Sequence, residues 1–134
     1  MRILFLGDIV GRQARGHVIA VTATLKENLA CDFVIINCEN SAGGFGVTPD
    51  ICNALFDAGS DVLTSGNHIW DKSEISSYIS HQPRLLRPVN MKVGFPGAGF
   101  VIVSDKQGRR LAVLNVITNL FMADYLNVFA TLDN

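Results

Sequence analysis

Three short polar stretches each close an apolar run. Gly7-Asp8 ends the run 2–7, Asn37-Cys38-Glu39-Asn40 ends the run 32–37, and Gly66-Asn67-His68 follows the run 61–65. In an open α/β sheet, ligands bind at the carboxyl ends of the strands. If the three runs are neighbouring strands, two carboxylates, two amides and an imidazole gather at one sheet edge. Carboxylate, amide oxygen and imidazole are donors for hard or borderline divalent metals. Two carboxylates held together repel unless a cation or a proton lies between them. A pair of metals would relieve that repulsion and make a nucleophile of water. His68, next to a candidate ligand at Asn67, can stay off the metal and protonate a leaving oxygen. Gly7 and Gly66 allow a close backbone approach. Taken singly, each residue has a plainer use. Asp8 reads as a helix cap, Glu39-Asn40 as a solvated turn, and His68 as a hydrogen-bonding structural residue. Their placement at three successive strand ends favours the site Asp8, Glu39, Asn40, Asn67 and His68.

The elements that would position them are legible in outline. Residues 2–7, 32–37 and 61–65 read as strands buried on both faces, as parallel strands are. Residues 12–29 place Ala14, Val18, Val21, Leu25 and Leu29 at helical spacing. Segment 41–47 holds three glycines and reads as a loop; it only loosely resembles a phosphate-cradling loop, since it lacks the P-loop spacing and lysine. Thr48-Pro49-Asp50 opens a helix that runs to Asp57 and stops at Gly59. Asp71 or Ser73 would cap a helix over 73–81. Residues 83–97 read as irregular, 99–104 and 110–116 as a hairpin, and 118–134 as weakly patterned. His17 and His81 are expected on solvated helix surfaces, Cys52 in the core, and Trp70 as packing that orients the His68 loop. The order implies an α/β fold with a mostly parallel sheet followed by a hairpin.

Composition narrows the classes. The chain has 134 residues, 49% of them apolar, enough for one domain with a core. Eleven basic and twelve acidic residues give no basic excess, which disfavours a dedicated DNA or RNA binder. The opening apolar run is too short for a membrane span and has no cleavage site. Three cysteines without a C-x-x-C disfavour a disulfide framework, so a cytoplasmic location is expected.

GDIVG (7–11), NCEN (37–40), Gly46 of the glycine loop, GNHIWDK (66–72), RPVN (87–90) and PGAG (96–99) together resemble the YmdB-like metallophosphoesterases. These are a bacterial branch of the calcineurin-like phosphoesterase superfamily. The likeness implies a four-layer α/β/β/α sandwich, of which residues 1–134 would be the N-terminal half, as a single truncated domain. It implies hydrolysis of 2',3'-cyclic nucleotides or related phosphodiesters, including RNA ends, at a dinuclear centre of iron or manganese, with zinc as a further option. It implies that Asp8 and Asn40 bind the first metal, Glu39 bridges, Asn67 binds the second, and His68 donates the proton.

The chain also departs from the family pattern. The family carries three further histidine ligands in its second half, beyond Asn134. Cys38 stands where the family has Gly, and Thr118-Asn119 where it has Gly-Arg. Weak activity is therefore expected, together with self-association or pairing with a C-terminal half through an uncovered apolar sheet face. The competing expectation is an inactive truncated homologue serving as an assembly or regulatory module. A nucleotide-binding Rossmann half rests on fold alone.

Overall fold

The computed structural model describes residues 1–92, 94–120, 122 and 125–133. Val93, Phe121, Ala123, Asp124 and Asn134, from the stretches read as irregular or weakly patterned, lie outside the described residues. The elements run β1 (Ile3–Leu6), α1 (Gly11–Asn28), β2 (Phe33–Asn37), α2 (Pro49–Asp57), β3 (Val62–Thr64), a 3-10 turn (Asn67–Trp70), α3 (Ile75–Ile79), β4 (Leu85–Leu86), β5 (Phe100–Ser104), β6 (Arg110–Leu114) and α4 (Val128–Leu132).

Strands β1-β2-β3-β4 form a parallel sheet in sequence order, and β5-β6 form an antiparallel pair. The register aligns Leu6 with Ile36 and Asn37 with Thr64, so the first three strands end side by side. This alignment brings the three polar strand ends together.

One face of the parallel sheet carries the helices. Val34, Ile36, Leu63 and Leu85 pack there against Leu55, Cys52, Ile75 and Ile79, with Val18 and Ile19 of α1 alongside. Each fully buried Leu or Ile contributes about 1.5–3 kcal/mol. The other face packs Ile35, Val62 and Leu86 against Val113, Val101, Val103 and Leu111 of the hairpin. Asn115 clamps the two sheets: its Nδ2 donates to the carbonyls of Ser65 (2.8 Å) and Leu86 (3.1 Å). The hairpin's outer face, with Phe100, Ile102 and Leu114, is exposed. Of the four layers implied by the resemblance, the described residues build three, a helical layer and two sheets.

Several expectations are corrected. β1 is not buried on both faces: it is an edge strand, with Ile3 and Phe5 exposed. In α1 the inward face holds Val18, Val21, Leu25 and the fully buried Thr22, while Ala14 and Leu29 are exposed. Thr22 is tolerated inside because its hydroxyl donates to the Val18 carbonyl at 2.6 Å. Helix α3 is shorter than 73–81, and neither Asp71 nor Ser73 caps it. Within 83–97 lies β4, two leucines too short to show a periodicity. Near the end, Asn127 caps α4 by accepting from the Ala130 N–H at 3.0 Å. The α2 signals hold: the Thr48 hydroxyl accepts from the Ile51 N–H, Pro49 opens the helix, and Gly59 follows it at φ +107°.

Candidate metal and phosphate site

The loops after β1, β2 and β3 meet in an open cleft of ≈ 400 Å³. Its walls include Asp8, Asn37, Glu39, Asn40, Asn67 and His68, with Phe5 and Met122 on the apolar side. All five residues singled out from the sequence therefore share one cavity. A larger apolar groove of ≈ 560 Å³ adjoins it between the sheets and shares Asn37, Glu39 and Asn67.

Asp8 is not a helix cap. The residue at the start of α1 is Val10, without a side-chain cap. Asp8 instead sits at φ +51°, in the left-handed region that Asp tolerates better than most residues. Its Oδ1 accepts from Asn40 Nδ2 at 2.8 Å. The Asn40 carbonyl accepts from the Gly11 N–H (2.9 Å) and the Gly44 N–H (3.1 Å), which ties the loops after β1 and β2 into one unit.

Among the described residues, three oxygens at the end of β2 are buried without a hydrogen-bond partner: Asn37 Oδ1, Glu39 Oε2 and Asn40 Oδ1. Buried acceptors left unpaired are costly and rare in folded proteins. Such a group of acceptors calls for a cation or a proton. The donor chemistry fits a divalent metal through oxygen ligands. Among the described residues, no three His, Cys, Asp or Glu side chains converge as a metal-holding group, so the set is carboxylate plus amide. In the sequence Asn37 reads only as part of the strand end. Its signal was being the first polar residue after four apolar ones.

Burial pushes the Glu39 carboxyl above its ordinary range, against the pull of the His68 main-chain N–H and ring, and the nearby Asp8 carboxylate adds to the rise. Gly66 lies hard against this carboxylate: a Cβ there would stand 2.0 Å from Glu39 Oε2. The close approach expected of Gly66 is thus made to another site residue.

His68 Nδ1 pairs with Asp71 Oδ2 at 2.7 Å. With Nδ1–H donated to the carboxylate, Nε2 is left for other work. Asp71, expected as a cap, is the partner that orients His68. Trp70 stacks on Phe95, with ring centroids 5.2 Å apart, and packs against the core beside this turn. His17 and His81 are exposed and are not among the residues lining the cleft, and Cys52 is buried.

The tail contributes more than its pattern announced. Buried Asn90 donates from Nδ2 to the carbonyls of Ile117 (2.7 Å) and Leu126 (2.9 Å), and its Oδ1 accepts from the Ile117 N–H (3.0 Å). That clasp fixes the neighbourhood of Tyr125. Burial pushes the Tyr125 phenol up, and the negative Glu39 adds to it.

Known proteins resemble this chain in sequence and in fold. The family described as YmdB-like protein matches residues 4–134. The chain is 43% identical over 122 residues to the 2',3'-cyclic-nucleotide 2'-phosphodiesterase of Bacillus subtilis (strain 168), covering 91% of this chain and 46% of that protein. A crystal structure of a hypothetical protein from Thermus thermophilus superposes with a TM-score of 0.91 at 32% identity, covering 99% of this chain and 51% of that one. A crystal structure of a phosphatase from Mycoplasma pneumoniae superposes with a TM-score of 0.87 at 26% identity, covering 98% and 48%. The chain spans about half the length of the relatives it matches. Among the described residues, no helix is long and apolar enough to cross a membrane.

Proposed function

The chain belongs to the YmdB-like protein family, and from that premise we propose that it carries one half of a metal-dependent phosphodiesterase site acting on 2',3'-cyclic nucleotides or related phosphodiesters. The observation that carries this reading is the trio of buried, unpartnered oxygens on Asn37, Glu39 and Asn40, in a cleft shared with Asp8, Asn67 and His68. Asp8 and Asn40 would hold one divalent cation and Asn67 a second, with Glu39 shared between them; iron or manganese suits these donors, and zinc is the third choice. When bound, such ions supply Lewis acidity to phosphoryl oxygens and turn water into a nucleophile. The protein's own part is positional. The hydrogen bond from Asn40 to Asp8 aims one carboxylate, and Gly66 leaves room for the other. Asp71 fixes the His68 ring through Nδ1, so that when the imidazole is protonated on both nitrogens its Nε2–H can serve a leaving ribose oxygen.

Equilibrium dialysis against Mn2+ tests the site. The 134-residue chain should retain metal, and Glu39→Ala and Asn67→Ala should each weaken retention at least about tenfold. Retention indifferent to both substitutions refutes the assignment. Hydrolysis of a 2',3'-cyclic nucleotide by this chain should be weak, and robust turnover would point to ligands outside the proposed set.

The exposed outer face of the hairpin supports a second reading, an assembly module without catalysis. An oligomer that retains no metal would favour that reading.

A further inference from the structure

The glycine loop between β2 and α2 takes no part in holding the proposed metals, yet it is built with care. Its Ala42 N–H donates to the Gly46 carbonyl at 2.9 Å and its Gly44 N–H to the Asn40 carbonyl at 3.1 Å. Gly43, Gly44 and Gly46 all adopt positive φ. At Gly46 a Cβ would stand 3.0 Å from Lys72 Cγ, 3.2 Å from Asp71 Cβ and 3.3 Å from the His68 carbonyl oxygen, so the loop is seated on the turn that carries His68. Val47 is fully buried and anchors its far end. The loop is thus fixed on both sides, and what it holds out is Phe45. That ring is 59% exposed. It meets the His68 ring at a centroid distance of 4.9 Å with the planes 65° apart, an edge contact and not a face-to-face stack. An apolar ring pinned beside a proton donor, with most of its surface open, has room for a second flat group.

We propose that Phe45 is the platform on which the base of a nucleotide substrate stacks, beside the proton-donating His68. The inference rests on the phosphodiesterase reading above and names the part of the substrate that reading leaves unassigned. In a ribose 2',3'-cyclic phosphate, the 2'-oxygen is only three bonds from the base nitrogen. A donor that serves this oxygen therefore has the base in its immediate neighbourhood, where the Phe45 ring lies. Base–aromatic stacking tolerates any base, because every base has a flat face. The platform would favour nucleotides over base-free phosphodiesters without selecting one base. Phe45 adjoins the cleft through its contact with His68, whereas Phe5, the exposed ring that lines the cleft itself, belongs to β1 and also lines the apolar groove between the sheets.

Calorimetric titration of the Mn2+-supplemented 134-residue chain with adenosine 3'-monophosphate and with inorganic phosphate tests the proposal. The nucleotide should bind more tightly than phosphate. Phe45→Ala should weaken nucleotide binding about tenfold while leaving phosphate affinity in place; Phe45→Trp should keep the nucleotide advantage, and Phe5→Ala should keep it too. If phosphate and nucleotide weaken together in Phe45→Ala, the ring serves only to position His68 and the proposal fails. A nucleotide that binds no better than phosphate, or an advantage lost in Phe5→Ala and kept in Phe45→Ala, overturns the platform but leaves the metal site standing. If the chain binds neither, the site reading falls and the platform with it.

Discussion

Gly66 and Glu39 are so closely fitted that the glycine's missing Cβ would stand 2.0 Å from Oε2, 2.6 Å from Cδ and 2.7 Å from Oε1 of the glutamate. The carboxylate occupies the space a side chain at residue 66 would take. The obstructing atoms are the end of a flexible side chain, so Gly66→Ala should turn Glu39 aside and leave the backbone in place. Overpacking costs about 1–3 kcal/mol. The expected outcome is a folded protein with a modestly lower Tm and Mn2+ affinity reduced at least about tenfold. Unchanged affinity in dialysis would show that Glu39 is not a ligand.

The His68–Asp71 pair makes a different forecast. Asp71→Asn keeps the shape of the partner but no longer demands the Nδ1–H tautomer. Nitrogen NMR of the imidazole should show Nδ1–H as the settled form in the wild type and a mixture in the variant. In a full-length relative the matching change should lower kcat about 10–100-fold with little change in KM. An unaltered tautomer would mean that Asp71 does not orient the ring.

Arg109 links the hairpin turn to the start of β2. Its Nε donates to Asp105 Oδ2 at 2.6 Å and its Nη2 to Asp32 Oδ1 at 2.5 Å. The Arg2 main-chain N–H and Arg109 hold Asp32 below its ordinary 3.8. Asp105 is also held down: partial desolvation pushes it up, but the Arg109 and Gln107 N–H groups and the guanidinium outweigh that. Carboxyls lowered on folding stabilise the native state above their unfolded values, and that contribution is lost as pH falls through the lowered ones. Arg109→Gln should therefore be less stable than wild type near neutrality, with the gap closing as pH drops below 3.8. Denaturant melts at several pH values would show it; a gap independent of pH would contradict the charge mechanism.

The bare outer face of the hairpin leads to self-association. Phe100, Ile102 and Leu114 are 57%, 47% and 47% exposed on adjacent strands, an apolar cluster of the kind that marks a contact surface. Light scattering of the 134-residue chain should report a species larger than a monomer, and Phe100→Glu with Ile102→Lys should return it to monomer. A wild type that is monomeric and binds no hydrophobic dye would count against this surface.

The sequence made the candidate site legible through a single device: apolar runs that stop at polar residues. That device located Asp8, Glu39, Asn40, Asn67 and His68, because a parallel register turns strand ends into neighbours. It could not reveal Asp71 as the partner of His68, since Asp before a helix is equally a cap. It missed β4, where two leucines carry no period, and it misjudged β1, because an apolar run does not say whether a strand is central or at the edge. Asn90 and Tyr125 were invisible for another reason. Their roles depend on contacts between segments 27 and 36 residues apart along the chain.

The edge position of β1 also has a dynamic meaning. Among the described residues, Asp8 hangs from a four-residue strand that pairs on one side only, with β2, while Glu39 and Asn67 hang from strands paired on both sides. Elements with few buried contacts are the first to open under native conditions. Amide exchange at Ile3–Leu6 should accordingly run ahead of that at Phe33–Asn37, and each such opening would carry off one of the two carboxylates. A cation shared by Asp8 and Glu39 would favour the closed strand by mass action. Exchange slowed at β1 on adding Mn2+ would then be the local trace of a site that fastens the free edge of its own sheet.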